Sequence, residues 1–276
     1  MRIEAEDVFV RLGSVDALQG VDFTADAGEI VGLIGPNGSG KTTLLRALAN
    51  LRDPDRGRVR YAGRSAAEAG AAELSRQIAY LAQGGEVHWP MRVEALVALG
   101  RLPHRRSFQK GGEADRLAVE RAMAAADVAP LRERTMSQIS GGERMRVLLA
   151  RALAVEAPML LADEPVAALD PLHQLQVMDL LRQKAASGGG VVVVLHDLAL
   201  AARFCDRLVL LDRGRVLASG TPRAVLTDAN IAAAFGVDVV RGEHDGAGFV
   251  LPWSPSKGLS ADGQPIGDGS AHRGAP

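Results

Sequence analysis

The chain has 276 residues, 47% hydrophobic and 24% charged, with a net charge of −1 at pH 7. These values suit one or two globular domains with a sizeable core and argue against a nucleic-acid protein held by a strongly basic face. The lone cysteine, Cys205, excludes a disulfide framework and a cysteine-built zinc site. No apolar run approaches the ~18 residues of a membrane-spanning helix. The acidic start, Met1 to Asp7, lacks the apolar segment of a signal peptide, so a cytoplasmic α/β protein is expected.

In chain order, residues 1–34 read as short strands and turns. They end in the apolar run Glu29 to Ile34, bounded by glycines as in a buried parallel strand. A glycine-rich loop follows, then a helix from Thr42 to Ala49. Between about Gly84 and Val155 the buried-strand pattern disappears, and stretches such as Val93–Gly100 and Ala114–Asp127 predict a helical insertion. Met159–Ala162 predicts a second buried strand, running into Asp163 and Glu164; Val191–Leu195 predicts a third, running into His196. Asp170 before Pro171 supplies an N-cap and a first-turn proline for a helix with Leu172, Leu175, Met178 and Leu181 at three-residue steps. Leu208–Leu211 and Arg215–Ala218 predict a hairpin. Alternating strands and helices predict a mostly parallel sheet covered on both faces. Residues 242–276 are dense in Gly, Pro, Ser and Asp; Phe249–Leu251 can add one strand. The last twenty or so residues lack the apolar surface to offset their ordering entropy and are expected to be partly disordered.

Gly35, Pro36, Asn37, Gly38, Ser39, Gly40, Lys41 and Thr42 fit the phosphate-loop pattern, between a predicted strand and a predicted helix, with Thr43 following. The glycines let successive backbone amides curl around a phosphate, and the helix N-terminus adds partial positive charge. Lys41 would reach the β- and γ-phosphates and the Thr42 hydroxyl would ligate Mg²⁺. Asp163 is placed to orient that metal, and Glu164 to polarise the attacking water. His196, at the end of the third strand, is placed for a γ-phosphate contact. Ser140, Gly141, Gly142 and Glu143 open a helix that continues to Arg151. Locally they satisfy the capping-box pattern; two glycines and a hydroxyl at a helix start also make a second anion site. If both anion sites grip one nucleotide, a head-to-tail dimer is the economical arrangement.

Taken together, these residues resemble the ATP-binding-cassette ATPase family. Gly35–Thr42 is similar to its Walker A loop, Gln83 to its Q-loop glutamine, Ser140–Glu143 to its signature, Leu160–Glu164 to Walker B, Ala168–Asp170 to the D-loop and His196 to the switch histidine. The resemblance covers residues 1–240. It implies a P-loop NTPase fold: a RecA-like core of about 1–84 and 155–241, with an N-terminal antiparallel β-subdomain, and a helical subdomain of about 85–154. Residues 242–276 would be an extension. It implies catalytic roles for Glu164, His196 and Gln83, metal contacts from Thr42, Gln83 and Asp163, and ATP with Mg²⁺ bound between Walker A of one subunit and the signature of the other. The segment Val97–His104 is similar to one found in ATPases of iron-siderophore, haem and cobalamin importers, as are His196–Arg203 and Gly220–Leu226. On composition alone, residues 97–106 read as a helix end with a solvated basic run. The implied assembly is a homodimer on the inner face of the cell membrane, acting with integral membrane permease subunits and, indirectly, a periplasmic or surface substrate-binding protein, and with no nucleic acid. A soluble cassette ATPase acting as a conformational switch is the alternative; no guanine-reading Asn/Thr-Lys-x-Asp motif is present. Departures from the family pattern fall in three places: Leu12 stands where an adenine-stacking aromatic is usual, with Phe9 the nearest aromatic; Ile139 and Glu143 replace the commoner Leu and Gln around Ser140–Gly142; and Ala167 and Ala168 replace Thr-Ser.

Overall fold

The structure, a computed structural model, describes residues 1–84, 91–105, 111–167 and 169–256. Its centre is a six-stranded sheet in the order Arg215–Gly220, Arg207–Asp212, Ile30–Ile34, Gly190–Val194, Met159–Asp163, Ile78–Leu81. All neighbours are parallel except the first pair, the expected hairpin. Every residue of Ile30–Ile34, Met159–Asp163 and Gly190–Val194 is buried, which is why these strands read as continuous apolar runs. A second, antiparallel sheet pairs Val15–Ala25, Ile3–Leu12, Arg56–Tyr61 and Arg64–Ser65. Strand Ile78–Leu81, which the sequence reading missed, pairs with Met159–Ala162 and delivers Gln83 to the same edge of the sheet as Asp163.

Side chains alternate across the parallel strands and so divide between two cores. Val31, Leu33, Leu161, Val192 and Val194 meet Leu44, Leu45 and Leu48 of helix Lys41–Leu48, which in turn meet Ile3, Val8 and Val21 of the antiparallel sheet. Ile30, Ile34, Leu160, Val191 and Val193 face the opposite core, shared with Val177, Met178 and Leu181 of helix Pro171–Ala186 and with Leu96, Val97, Met123 and Leu148 of the helical insertion. That insertion comprises Val93–Ala98, Glu113–Ala125 and Gly141–Leu153, with short 3-10 turns between them. Asp170 caps helix Pro171–Ala186 by accepting from the His173 amide.

Two expectations are revised. The chain beyond Gly236 forms a two-stranded antiparallel hairpin, Val237–His244 with Ala247–Pro255, so a strand crosses the division expected at 241/242 and two strands appear where one was anticipated. Val250 on its inner side is buried and joins the core that contains Phe204 and Ala201. Residues 257–276, for which partial disorder was expected, lie outside the described residues. Of the basic run Arg101 to Arg106, read on composition as a solvated helix end, Arg101 is instead buried on a 3-10 turn, Leu99–His104, while His104 is exposed; Arg106 lies outside the described residues.

Leu44 is fully buried where the phosphate-loop helix bridges the two sheets. Leu44→Ala is expected to destabilise the protein by about 3 kcal/mol through lost transfer energy and a residual cavity. Urea denaturation of both forms checks this.

Candidate nucleotide-binding site

Strand Ile30–Ile34 ends in a tight loop, and helix Lys41–Leu48 begins at its far side. Gly35 has φ 145°, and a Cβ there would lie 2.1 Å from the Leu211 carbonyl oxygen. Gly40, the N-cap, has φ 103°, and a Cβ would lie 2.6 Å from the Ala17 carbonyl oxygen. Both positions therefore require glycine, by backbone conformation and by close approach. The loop packs against neighbouring backbone: Gly214 N–H donates to the Ser39 carbonyl at 3.1 Å. Lys41 is 6% exposed and its Nζ donates to the Gly35 and Pro36 carbonyls, each at 2.8 Å. Burial pushes the Lys41 pKa down, opposed by the charges of Glu164 and Asp163.

Asp163 is fully buried at the end of its strand, and Thr42 Oγ1 donates to its Oδ1 at 3.1 Å. Its Oδ2 is buried without a partner among the described residues, as is Ser39 Oγ. Burial raises the Asp163 pKa, while the Thr42 hydrogen bond lowers it. A hydroxyl, a carboxylate with one free oxygen and the nearby Gln83 form a hard oxygen donor set that fits a small divalent cation and its waters. Among the described residues no cluster of three or more His, Cys, Asp or Glu could hold a metal; a metal here would depend on phosphate oxygens as well.

Glu164, with φ 51°, turns out of the strand, and its Oε1 lies 2.6 Å from His196 Nε2. Asp197 caps the following helix by accepting from the Ala199 and Leu200 amides at 2.7 and 2.9 Å, which sets the direction in which His196 leaves its strand. The structure thus gives His196 a partner that the sequence reading did not assign, Glu164. A cleft of about 510 Å³ brings together Asn37, Gly38, Ser39, Gly40, Lys41, Thr42, Thr43, Gln83 and Glu164. Leu12, Val15 and Ala17 line it as well. Leu12 and Val15 are 47% and 62% exposed, an apolar ledge at the cleft mouth. Phe9 does not line the cleft; the Arg56 guanidinium lies over its ring at 4.8 Å. Val15 and Ala17 carry no local sequence signal for the cleft beyond their place after the Gly13 turn.

Ser140, Gly142 and Glu143 line a different cavity, with Arg146, Leu169, Asp170 and His173. Ser140 Oγ accepts from the Glu143 amide at 3.2 Å, and Glu143 Oε2 accepts from the Ser140 amide at 2.7 Å. The extra carboxylate is therefore turned back into a capping box. Gly141, the first residue of the helix, and Gly142 stand at its N-terminal end. Ala168 lies outside the described residues.

A glycine-built phosphate cradle facing a buried carboxylate at the ends of parallel strands defines a P-loop nucleoside triphosphatase. The model of the ABC transporter family matches residues 18–167, and the chain belongs to that family as one of its ATPases. It is 42% identical over 254 residues to the hemin import ATP-binding protein of Pseudomonas putida, covering 90% of this chain and 98% of that protein. It is 45% identical over 247 residues to the protein of the same name in Streptomyces coelicolor, covering 88% and 87%. Identity to the cobalamin import ATP-binding protein of Halobacterium salinarum is 43% over 251 residues, 91% of this chain and 63% of that one. Among solved structures, an inward-facing ABC transporter described as of the metal-chelate type matches with TM-score 0.79 and 26% identity, over 94% and 98% of the two chains. A dimeric ATP-binding cassette in a post-hydrolysis state with ADP and Pi matches with TM-score 0.69 and 29% identity, over 80% and 99%.

Hydrogen bonding to the Ser140 amide holds the Glu143 carboxyl below the usual carboxylate range. A depressed folded-state pKa contributes stability above the unfolded value, lost as pH falls through the folded one. Glu143→Ala is expected to lower Tm near neutral pH, and the gap to the parent should narrow below about pH 4. Thermal melts across pH 3–7 read this out; a gap independent of pH would contradict the capping role.

Proposed function

We propose that this chain is the ATP-hydrolysing subunit of an ABC importer and works as a head-to-tail homodimer. The observation that carries the chemistry is the Glu164–His196 pair, 2.6 Å apart, with Glu164 lining the phosphate-loop cleft. In this reading the amides of Gly38, Gly40, Lys41, Thr42 and Thr43 hold the phosphates, and Lys41 exchanges its carbonyl partners for phosphate oxygens. Mg²⁺ held beside Thr42, Gln83 and Asp163 supplies neutralisation of β- and γ-phosphate charge. Glu164 accepts the proton of the attacking water, and His196 orients Glu164 and reaches the γ-phosphate. The adenine rests on the apolar ledge of Leu12 and Val15 in place of an aromatic stack.

Dimerisation is supported by the separate placement of the Ser140 cavity, which shares no lining residue with the phosphate-loop cleft. A nucleotide gripped by both helix ends is then shared between two chains, with Ser140 donating its hydroxyl proton while still accepting from the Glu143 amide. The core of about 1–84 and 155–241 carries the hydrolytic residues, and the helical subdomain of about 85–154 carries the signature. The import reading rests on near full-length likeness to import ATP-binding proteins. Among the described residues no helix is long and apolar enough to cross a membrane; in this reading permease subunits supply the membrane path. The chain would sit on the cytoplasmic face, with a substrate-binding protein on the far side. The cargo is an iron(III) chelate, hemin or cobalamin, with hemin favoured by the relatives' names.

Glu164→Gln is expected to lower turnover by about 10²–10⁴-fold with MgATP binding retained, whereas Lys41→Ala should abolish binding. Turnover and equilibrium nucleotide binding measured side by side test both roles. Purifying the tagged chain from detergent-solubilised native membranes tests the assembly. A co-purifying polytopic permease supports import, and transport by the reconstituted complex of hemin, cobalamin or an iron chelate names the cargo. Recovery with soluble partners alone would replace import by the soluble-switch alternative.

A further inference from the structure

Arg101, on the 3-10 turn Leu99–His104, is a cation almost removed from solvent, 6% exposed. Its Nη1 donates to the Ala154 carbonyl at 2.8 Å and to Glu156 Oε2 at 3.0 Å, and its Nε donates to Asp115 Oδ1 at 3.0 Å. His104 Nε2 lies 2.7 Å from the Val155 carbonyl oxygen. Gly100 sits so close to the same region that a Cβ would be 2.2 Å from the Arg151 carbonyl oxygen. All of these contacts except Asp115 fall on the last turn and exit of helix Gly141–Leu153. That helix begins at Ser140, and its exit leads into strand Met159–Asp163.

A buried guanidinium is costly unless its donors are met, and here the planar fork is matched by a carbonyl and two carboxylates. A cation at this end also complements the helix dipole. The helix is about 20 Å long, so a tilt of about 5° about its anchored end displaces the Ser140 end by nearly 2 Å. We propose that Arg101 is a positioning residue of the ATPase. It clamps the exit of the Ser140 helix to turn Leu99–His104 and helix Glu113–Ala125 and so sets where the Ser140 amides and hydroxyl stand relative to the opposing nucleotide. This rests on the head-to-tail reading above.

The test uses full-length chain carrying Glu164→Gln, with MgATP-driven dimerisation followed by sedimentation velocity. Adding Arg101→Ala, or Gly100→Ala as an independent steric variant, is expected to weaken the dimer by about tenfold. MgATP binding to the monomer at high dilution should stay within about twofold, because the phosphate loop is untouched. With Glu164 intact, the same variants should lower kcat at fixed protein concentration, and Arg101→Lys should recover part of both losses. If Arg101→Ala does not fold, Asp115→Asn and Gly100→Ala carry the same readings. Variants that dimerise and turn over like their parents, or a loss confined to monomer binding, would overturn the clamp alone. A Glu164→Gln parent that fails to dimerise with MgATP would overturn the head-to-tail reading and the clamp with it.

Discussion

The hydrogen bond from Thr42 Oγ1 to Asp163 Oδ1, 3.1 Å long and beside a fully buried carboxylate, is the contact on which the site depends. It joins the first turn of the phosphate-loop helix to the end of a strand 121 residues away in sequence. A carboxylate in that position is unfavourable unless its oxygens are met. One oxygen has Thr42, and the other is left free where a cation and its waters would lie. Parallel pairing brings Ile30–Ile34, Gly190–Val194 and Met159–Asp163 to a common edge, and the groups that follow them converge there. The phosphate loop, Glu164 and His196 are consequences of that shared edge.

Local polar chemistry finishes what the sheet begins. Glu164 leaves its strand at positive φ, a conformation costly for a non-glycine residue, and is held by His196. Asp197 caps the helix after His196, Asp170 caps the helix after Walker B, and Glu143 closes the box at Ser140. Each cap fixes the first turn of a helix whose start lies at or beside the site. Glu143, a carboxylate where the family pattern more commonly has Gln, is spent on the backbone.

The two cores explain how this edge stays in place. Helix Lys41–Leu48 packs its Leu44, Leu45 and Leu48 between the antiparallel sheet and one face of the parallel sheet, which anchors the far end of the loop it follows. The opposite face carries the helical insertion, which the Arg101 clamp ties to the exit of the Ser140 helix. The phosphate-loop helix and the helix that begins at Ser140 thus pack on opposite faces of a single sheet.

The sequence by itself determined the phosphate loop, the Asp163–Glu164 pair, the capped Ser140 helix and the P-loop fold class, because each is a local pattern in which backbone conformation and residue type are directly coupled. Glycines at Gly35 and Gly40, a cap at Asp170 and apolar runs at Met159 and Val191 require no knowledge of distant residues. Strand Ile78–Leu81 was illegible because four residues carry little periodicity, and its partner lies about eighty residues on. Arg101 read as solvated because nothing local reveals that Ala154, Asp115 and Glu156 surround it. The hairpin Val237–Pro255 was half seen, since its inner face is stabilised by contact with helix Leu198–Phe204 and not by its own pattern. Tertiary structure alone decided which buried charges found partners, because burial and satisfaction of a polar group are set by residues far away in sequence.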